Sequence, residues 1–107
     1  MFSVDDIQKP NPKENSFERS LVKKIKSMFP SCYEIPKPIR PSSTGTPDRQ
    51  FLINGKFVAF ETKRAKNSVT RKKQIERIEA IINAGGFAGV VKSIEEGFDI
   101  LHNAGLM

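Results

Sequence analysis

GTPDRQFLINGKFVAFETK, residues 45–63, is the stretch that decides how this chain folds. Its last eight residues, Lys56–Lys63, are rich in aromatic and β-branched side chains, which favour a β-strand. The Asn54-Gly55 pair before them suits a two-residue type I′ turn, and residues 51–53 form a short apolar run on the other side of it. The sequence therefore predicts an antiparallel β-hairpin.

The hairpin is expected to bring two acids and a lysine together. Asp48 lies six residues before Asn54, and Glu61 lies six residues after Gly55, so the two acids fall opposite each other to within one residue. Because side chains alternate between the faces of a strand, Glu61 and Lys63 share one face. Two carboxylates can share Mg²⁺, which polarises a phosphoryl oxygen and activates a bound water. A neighbouring lysine can offset the charge that develops on phosphate or position the water. This set of residues predicts a phosphodiester hydrolase.

The size and composition of the chain indicate one folded domain. The chain has 107 residues and a net charge of +6, and a basic surplus favours polyanions such as nucleic acid. Residues 1–14 show no periodicity and are predicted to be a flexible arm, with a single domain over residues 15–107. Cys32 is the single cysteine, so a reducing cytoplasm is expected. Eighteen consecutive apolar residues do not occur, so no membrane span is predicted.

Further elements are predicted on both sides of the hairpin. Asn15 is a good N-cap for the first helix, Pro30 ends that helix, and a strand–helix–strand sequence after the hairpin suggests a parallel crossover. The second helix is expected to bury a stripe of Ile75, Ile78, Ile81 and Ile82. The predicted elements are a helix over Ser16–Phe29, an edge strand over Cys32–Ile35, the hairpin, a helix over Thr70–Ala84, a strand over Phe87–Lys92 and a last helix capped by Ser93. Their order is α-β-β-β-α-β-α.

The acidic and basic residues of the hairpin also resemble a known signature. Pro47-Asp48, a gap of twelve residues and Glu61-Thr62-Lys63 are similar to the motif of the PD-(D/E)xK nuclease superfamily. With the flanking residues Gly45, Arg49 and Gln74, the pattern resembles the VRR-NUC family of virus-type replication-repair nucleases, in particular its short stand-alone members from phages and bacteria. The likeness extends from about Glu18 to about Glu96. It implies a restriction-endonuclease-like α/β core, in which a mixed sheet is flanked by helices.

The resemblance implies a role for each site residue. Asp48 and Glu61 would hold Mg²⁺, for which Mn²⁺ could substitute, and Thr62 would contribute its backbone carbonyl. Lys63 and Gln74 would position water or phosphate. Glu18 would be a third acid near the metal, although it also stands three residues after Asn15, at the spacing of a capping box. The two interpretations of Glu18 are compatible.

The cations around this site predict the substrate. Six of them fall between Lys63 and Lys73 with no acid among them, and contact with a DNA backbone is the preferred interpretation over a solvated surface. The predicted DNA-binding residues are Arg49, Arg64, Lys66, Arg71, Lys72 and Lys73. Stand-alone relatives resemble junction resolvases, so branched, Holliday-junction-like DNA is the expected substrate. Paired incisions need two copies of so small a chain, which predicts a homodimer with the N-terminal arm or the first helix at its interface.

Two alternatives stay open. One is a flap or restriction-type nuclease on the same fold. The other is a non-catalytic, basic nucleic-acid-binding module in which the acid–lysine pattern is accidental. The second is the weaker alternative, because Asp48 and Glu61 would repel phosphate unless a metal ion intervened.

Overall fold

Seven elements make up the computed structural model, which describes residues 12–37, 46–63 and 72–107, with the side chains of the first helix described from Phe17 onward. The elements are α1 (Pro12–Met28), β1 (Tyr33–Ile35), β2 (Arg49–Ile53), β3 (Lys56–Thr62), α2 (Lys72–Asn83), β4 (Phe87–Val91) and α3 (Ile94–Asn103). Their order is the predicted α-β-β-β-α-β-α. The mixed α/β fold class is therefore confirmed.

The predicted hairpin lies at the centre of the sheet. β2 and β3 pair antiparallel, with Phe51 opposite Val58 and Arg49 opposite Phe60. Asn54 and Gly55 join them with backbone φ angles of 50° and 80°. Two consecutive positive φ angles are typical of the type I′ turn, whose twist matches that of the flanking strands. The local sequence thus sets the register of the hairpin.

Within the described residues the sheet has four strands, in the order β1-β2-β3-β4. β1 pairs antiparallel with β2 at one edge, as expected for a segment followed by prolines. β4 pairs parallel with β3 at the other edge, which confirms the predicted crossover. β3 is therefore flanked by a strand on each side, and its residues from Val58 to Thr62 are all buried.

Two helices, α1 and α3, cover one face of the sheet. Leu21 and Ile25 of α1 join Phe51, Phe60 and other buried side chains in the core. α3 packs against α1 at Gly97, where an added Cβ would lie 2.8 Å from the methyl carbons of Leu21. A larger residue at this close crossing would displace the side chain of Leu21, which is buried in the core.

α2 packs against β4 from the opposite side, and here one prediction is wrong. Ile75 and Ile82 are 44% and 51% exposed, so the expected buried stripe of α2 is buried only in part. The reason is that α2 contacts chiefly the edge strand β4 in the described structure. An edge strand is too narrow to cover both sides of the apolar stripe.

The start of α1 also differs from the prediction. The helix begins at Pro12, so Asn15 lies inside it and is not its N-cap. Proline is well tolerated in the first turn of a helix, where the backbone N–H has no partner to lose. At the other end of the chain, Ser93 caps α3 as predicted, and its side chain accepts a hydrogen bond from the backbone N–H of Glu96. Every helix in the described ranges is too short or too polar to cross a bilayer.

Three sequence predictions fall on residues outside the described ranges. They are the flexible arm over residues 1–11, the start of the second helix at Thr70, and the DNA-binding residues Arg64, Lys66 and Arg71.

Candidate active site

Asp48 lies just before β2, at the end of the hairpin that is remote from its turn. Arg49 pairs with Phe60, so the same register continued by one residue sets Asp48 opposite Glu61. Asp48 Oδ2 accepts hydrogen bonds from the backbone N–H and the hydroxyl of Thr62, both at 3.0 Å. The other carboxylate oxygen, Oδ1, lies 3.3 Å from the ammonium of Lys37. Asp48 is therefore anchored through one oxygen and ion-paired through the other.

Glu61 and Thr62 are neighbours in β3, so their side chains project from opposite faces, and that of Glu61 meets α2. Gln74 Nε2 donates a hydrogen bond of 2.6 Å to Glu61 Oε2. Lys63 Nζ lies 3.2 Å from the same oxygen and donates to Gln74 Oε1 at 3.3 Å. The three side chains thus form a closed triangle of polar contacts. The predicted catalytic residues Glu61, Lys63 and Gln74 are all brought together.

The environment of Glu61 is unfavourable for a charge. Its side chain is only 3% exposed, and its Oε1 is buried without a hydrogen-bond partner in the described structure. Burial, and then the negative charge of Asp48, raise the pKa of Glu61, while Lys63 and the backbone N–H of Asp48 act in the opposite direction. That N–H approaches the carboxylate but does not complete a hydrogen bond to Oε1. A buried carboxylate oxygen without a donor is costly unless a ligand satisfies it.

Glu18 reaches the site from α1, on the same side of the sheet as the Thr62 side chain. The Thr62 hydroxyl lies 2.6 Å from Glu18 Oε1 as well as 3.0 Å from Asp48 Oδ2. Both acids therefore lie within 3.0 Å of one oxygen. Because a hydroxyl carries a single proton, it can donate to only one of them at a time.

Arg49 connects Glu18 to the edge of the sheet. Its Nε donates to Glu18 Oε2 at 3.0 Å, and its Nη1 donates to Glu34 Oε2 at 2.6 Å. Lys26 contacts the other oxygen of Glu34 at 2.9 Å. Burial alone would raise the pKa of Glu34, but the hydrogen bonds from Lys26 and Arg49 outweigh burial and lower it. Burial would likewise lower the pKa of Arg49, but its hydrogen bonds to Glu34 and Glu18 outweigh burial and raise it.

A surface pocket of about 300 Å³ opens beside Asp48. It is lined by Glu18, Glu34, Ile35, Pro36, Lys37, Asp48 and Arg49. The pocket gives solvent and ligands a route to the acids that α1 and β1 contribute.

Three features of this site differ from, or are absent from, what the sequence predicts. Lys37 and Glu34 were not singled out, because their contacts depend on how β1 pairs with β2. Thr62 was assigned a role through its backbone carbonyl, whereas its buried side chain contacts both Glu18 and Asp48. The alternation of β3 could have indicated that this hydroxyl faces α1.

The predicted DNA-binding residues are only partly within the described structure. Lys72 and Lys73 lie exposed in the first turn of α2, next to Gln74. Arg49 is engaged with two carboxylates. Arg64, Lys66 and Arg71 lie outside the described residues.

The carboxylate oxygens of the site are of the kind that binds a divalent ion. Over residues 12–37, 46–63 and 72–107, no three acidic, histidine or cysteine side chains form a ready-made metal cluster. Mg²⁺, however, is commonly held by one or two carboxylates together with waters and substrate phosphate. The unpartnered Oε1 of Glu61 and the nearby carboxylate of Asp48 are hard oxygen donors of this kind. These two residues therefore fit such an ion.

Comparison with solved structures adds independent information on the fold. A structure described as a VRR_NUC domain matches with a TM-score of 0.67, over 84% of this chain and 95% of that chain. The chain has the VRR_NUC fold. The two sequences are 18% identical. No model of a known protein family matches the sequence, and a search of curated proteins finds no match either.

The expected restriction-endonuclease-like arrangement of sheet and helices is thereby confirmed. At 18% identity the match establishes the fold alone, and the case for an activity rests on the site. Almost the whole of the matched VRR_NUC domain is covered, so its elements have counterparts in this short chain.

Proposed function

We propose that this chain is a divalent-metal-dependent DNA endonuclease. The observation that supports this function best is the buried Glu61 oxygen without a hydrogen-bond partner, beside Asp48 and Lys63. A protein selected only for stability gains nothing from an unsatisfied carboxylate in its interior. A carboxylate held ready for a cation at a phosphodiester accounts for it.

Each residue of the site has a role in this proposal. Asp48 and Glu61 would hold Mg²⁺ or Mn²⁺, and the ion when bound supplies polarisation of the phosphoryl oxygen and acidification of a bound water. Lys63 stands on the same side of β3 as Glu61 and would orient the attacking water and offset negative charge on the phosphate. Gln74 touches both Lys63 and Glu61 and holds them in this relation.

Glu18 and Thr62 complete the site from the other face of β3. The Thr62 hydroxyl contacts Asp48 and Glu18, so it keeps both carboxylates close to the end of the strand. In the proposed enzyme Glu18 is an additional acid near the metal. A metal contact through the Thr62 carbonyl is part of the same proposal.

The activity is tested by incubating the protein with labelled four-way, flap and linear DNA, in Mg²⁺ or in EDTA. We expect cutting in Mg²⁺ and none in EDTA. The cutting rate of Lys63→Ala should fall by about 10²- to 10³-fold, because a group that offsets developing charge is removed. Lys23→Ala, which removes an exposed cation from α1, is the matched control and should retain activity wherever light scattering gives it the oligomeric state of the wild type. Binding without cutting on any substrate would instead favour the non-catalytic binding module.

We further propose that the substrate is branched DNA and that the active form is a homodimer. The basic charge supports a DNA partner, and Lys72 and Lys73 present two cations next to Gln74. Paired incisions on a symmetric junction require two active sites, which a two-fold dimer provides. The proposed interface includes α1 or the N-terminal arm.

Two measurements separate this substrate from its alternatives. Preference for a four-way junction over a flap and over linear duplex identifies a resolvase-type enzyme, whereas a preference for flap or linear DNA identifies the alternative nuclease. Light scattering at micromolar concentration should give the mass of a dimer. A monomer on its own and on junction DNA would contradict the homodimer.

A further inference from the structure

We propose that Lys37 is a DNA-phosphate-binding residue, held on Asp48 until a divalent ion takes that carboxylate. The proposal rests on the metal-dependent function argued above. It assigns a role to a lysine outside the basic run that the sequence singles out.

The contacts of Asp48 show why its two oxygens differ. Oδ2 accepts both the backbone N–H and the hydroxyl of Thr62, so it is tied to the buried end of β3. Oδ1 faces the ammonium of Lys37 at 3.3 Å. A cation that binds Asp48 therefore competes with Lys37 for Oδ1, and the two positive charges repel each other at such a short distance.

Releasing Lys37 from Asp48 costs little free energy. The Lys37 side chain is 61% exposed, and an ion pair so open to solvent contributes weakly to stability. Lys63 and Arg49 are better fixed by comparison: Lys63 is 16% exposed against Glu61, and Arg49 donates to two carboxylates. Of these three cations, Lys37 is the one that can leave its acid.

The position of Lys37 favours phosphate as its next partner. The residue follows β1 at the rim of the pocket beside Asp48. Pro36 and Pro38 flank it in the sequence, and both restrict the backbone, so the long side chain is the part that moves. An ammonium binds phosphate as a compact point charge. In the proposed enzyme the reacting phosphate lies next to Asp48, and the released Lys37 side chain is long enough to contact it.

The consequence is a coupling between metal and DNA. Without the ion, Asp48 holds Lys37 and the acids of the site repel DNA. With the ion bound, the acids are neutralised and one more cation is released toward the backbone. Lys37 thus contributes to DNA affinity chiefly when the metal is present.

The test compares Lys37→Ala with Lys24→Ala, which removes the same charge from an exposed position on α1. Calorimetry measures Ca²⁺ affinity, and fluorescence anisotropy measures binding of a labelled four-way junction in Ca²⁺ and in EDTA, between about 50 and 200 mM salt. A gel confirms that the DNA stays intact. Thermal unfolding confirms that each variant is folded.

We expect Lys37→Ala to bind Ca²⁺ about two- to fivefold more tightly, because the competing ammonium is gone. In Ca²⁺ its DNA affinity should fall, and the slope of log affinity against log salt should shrink by about one. In EDTA the loss should be smaller. Lys37→Arg should restore the slope, and Lys24→Ala should have the same effect in Ca²⁺ and in EDTA.

Equal losses for Lys37→Ala in Ca²⁺ and EDTA, with Ca²⁺ affinity unchanged, would overturn the proposal for Lys37 and leave the nuclease function intact. A wild-type protein that binds neither Ca²⁺ nor Mg²⁺ and cuts no DNA would overturn both.

Discussion

Replacing Glu61 by glutamine should make the protein more stable and inactive at the same time. The carboxylate is buried, and one of its oxygens has no hydrogen-bond donor in the described structure. Leaving a buried polar atom unsatisfied costs about 1–3 kcal/mol, and more when it is charged. The ion pair with Lys63 offsets part of this cost, but burial and the negative charge of Asp48 outweigh it and raise the pKa of Glu61.

A neutral amide removes the buried charge and its repulsion by Asp48, so we expect Glu61→Gln to stabilise the fold by about 1 kcal/mol at pH 7. For a domain of this size that corresponds to a rise in Tm of about 4 °C. The assay is thermal unfolding in EDTA, with Glu79→Gln, an exposed glutamate on α2, as the control for loss of charge alone. The control should change Tm by less than about 1 °C.

The pH dependence of stability tests independently whether ionised Glu61 destabilises the fold. A carboxyl group whose pKa is raised on folding destabilises the native state when it ionises. The wild type should therefore lose stability, relative to Glu61→Gln, as pH rises above the ordinary value of 4.5. Below that value Glu61 is protonated in both the folded and the unfolded states, and the Tm difference should be small. A Glu61→Gln variant that melts at or below the wild type at pH 7 would refute this account of the site.

Added metal should make the wild type more stable than Glu61→Gln, the reverse of their order in EDTA. An ion that binds only the folded wild type stabilises it by about 1.4 kcal/mol at ten times its Kd. Glu61→Gln loses one of its two proposed carboxylate ligands and should gain much less. Its DNA cutting should be abolished while its binding of junction DNA stays close to that of the wild type. An equal loss of binding and cutting would mean that Glu61 is mainly structural.

Two other substitutions test the packing around the site. Arg49→Met removes the bridge between Glu18 and Glu34 and should destabilise the fold by about 1–3 kcal/mol at pH 7, as measured by urea unfolding, against little change for the exposed Arg19→Met. The pKa of Glu34 is lowered on folding, so its share of this stabilisation is present above pH 4.5 and should be lost as pH falls through the lowered value. If Arg49→Met destabilised the fold equally at pH 3 and pH 7, that would count against the bridge. Gly97→Ala should destabilise by about 1–2 kcal/mol despite the better helix propensity of alanine, because its Cβ would overlap the side chain of Leu21. The loss should be smaller in a Leu21→Ala background, and a simple sum of the two effects would mean that α1 and α3 are not in tight contact at this point.

The sequence predictions for the helices are incomplete because they take no account of tertiary contacts. The stripe of isoleucines in α2 correctly indicates a helix with an apolar side. Periodicity does not reveal how wide a neighbouring surface is, and β4 is an edge strand that leaves Ile75 and Ile82 exposed. Asn15 likewise has the chemistry of a cap, yet Pro12 allows the helix to start earlier.

Local sequence is enough to predict the hairpin and the face on which the side chains within its two strands lie. Asn54-Gly55 selects the turn, the turn sets the register, and a period of two then sets Asp48 opposite Glu61, with Lys63 beside Glu61. These are local rules, and they act over a few residues.

Only the tertiary structure decides how the site is completed. Glu18, Glu34 and Lys37 come from α1, from β1 and from the segment after it, and their distances to Arg49, Thr62 and Asp48 depend on how those elements pack. The burial that leaves one oxygen of Glu61 without a partner is also a property of the whole fold, because desolvation depends on every side chain that excludes water from that end of the sheet.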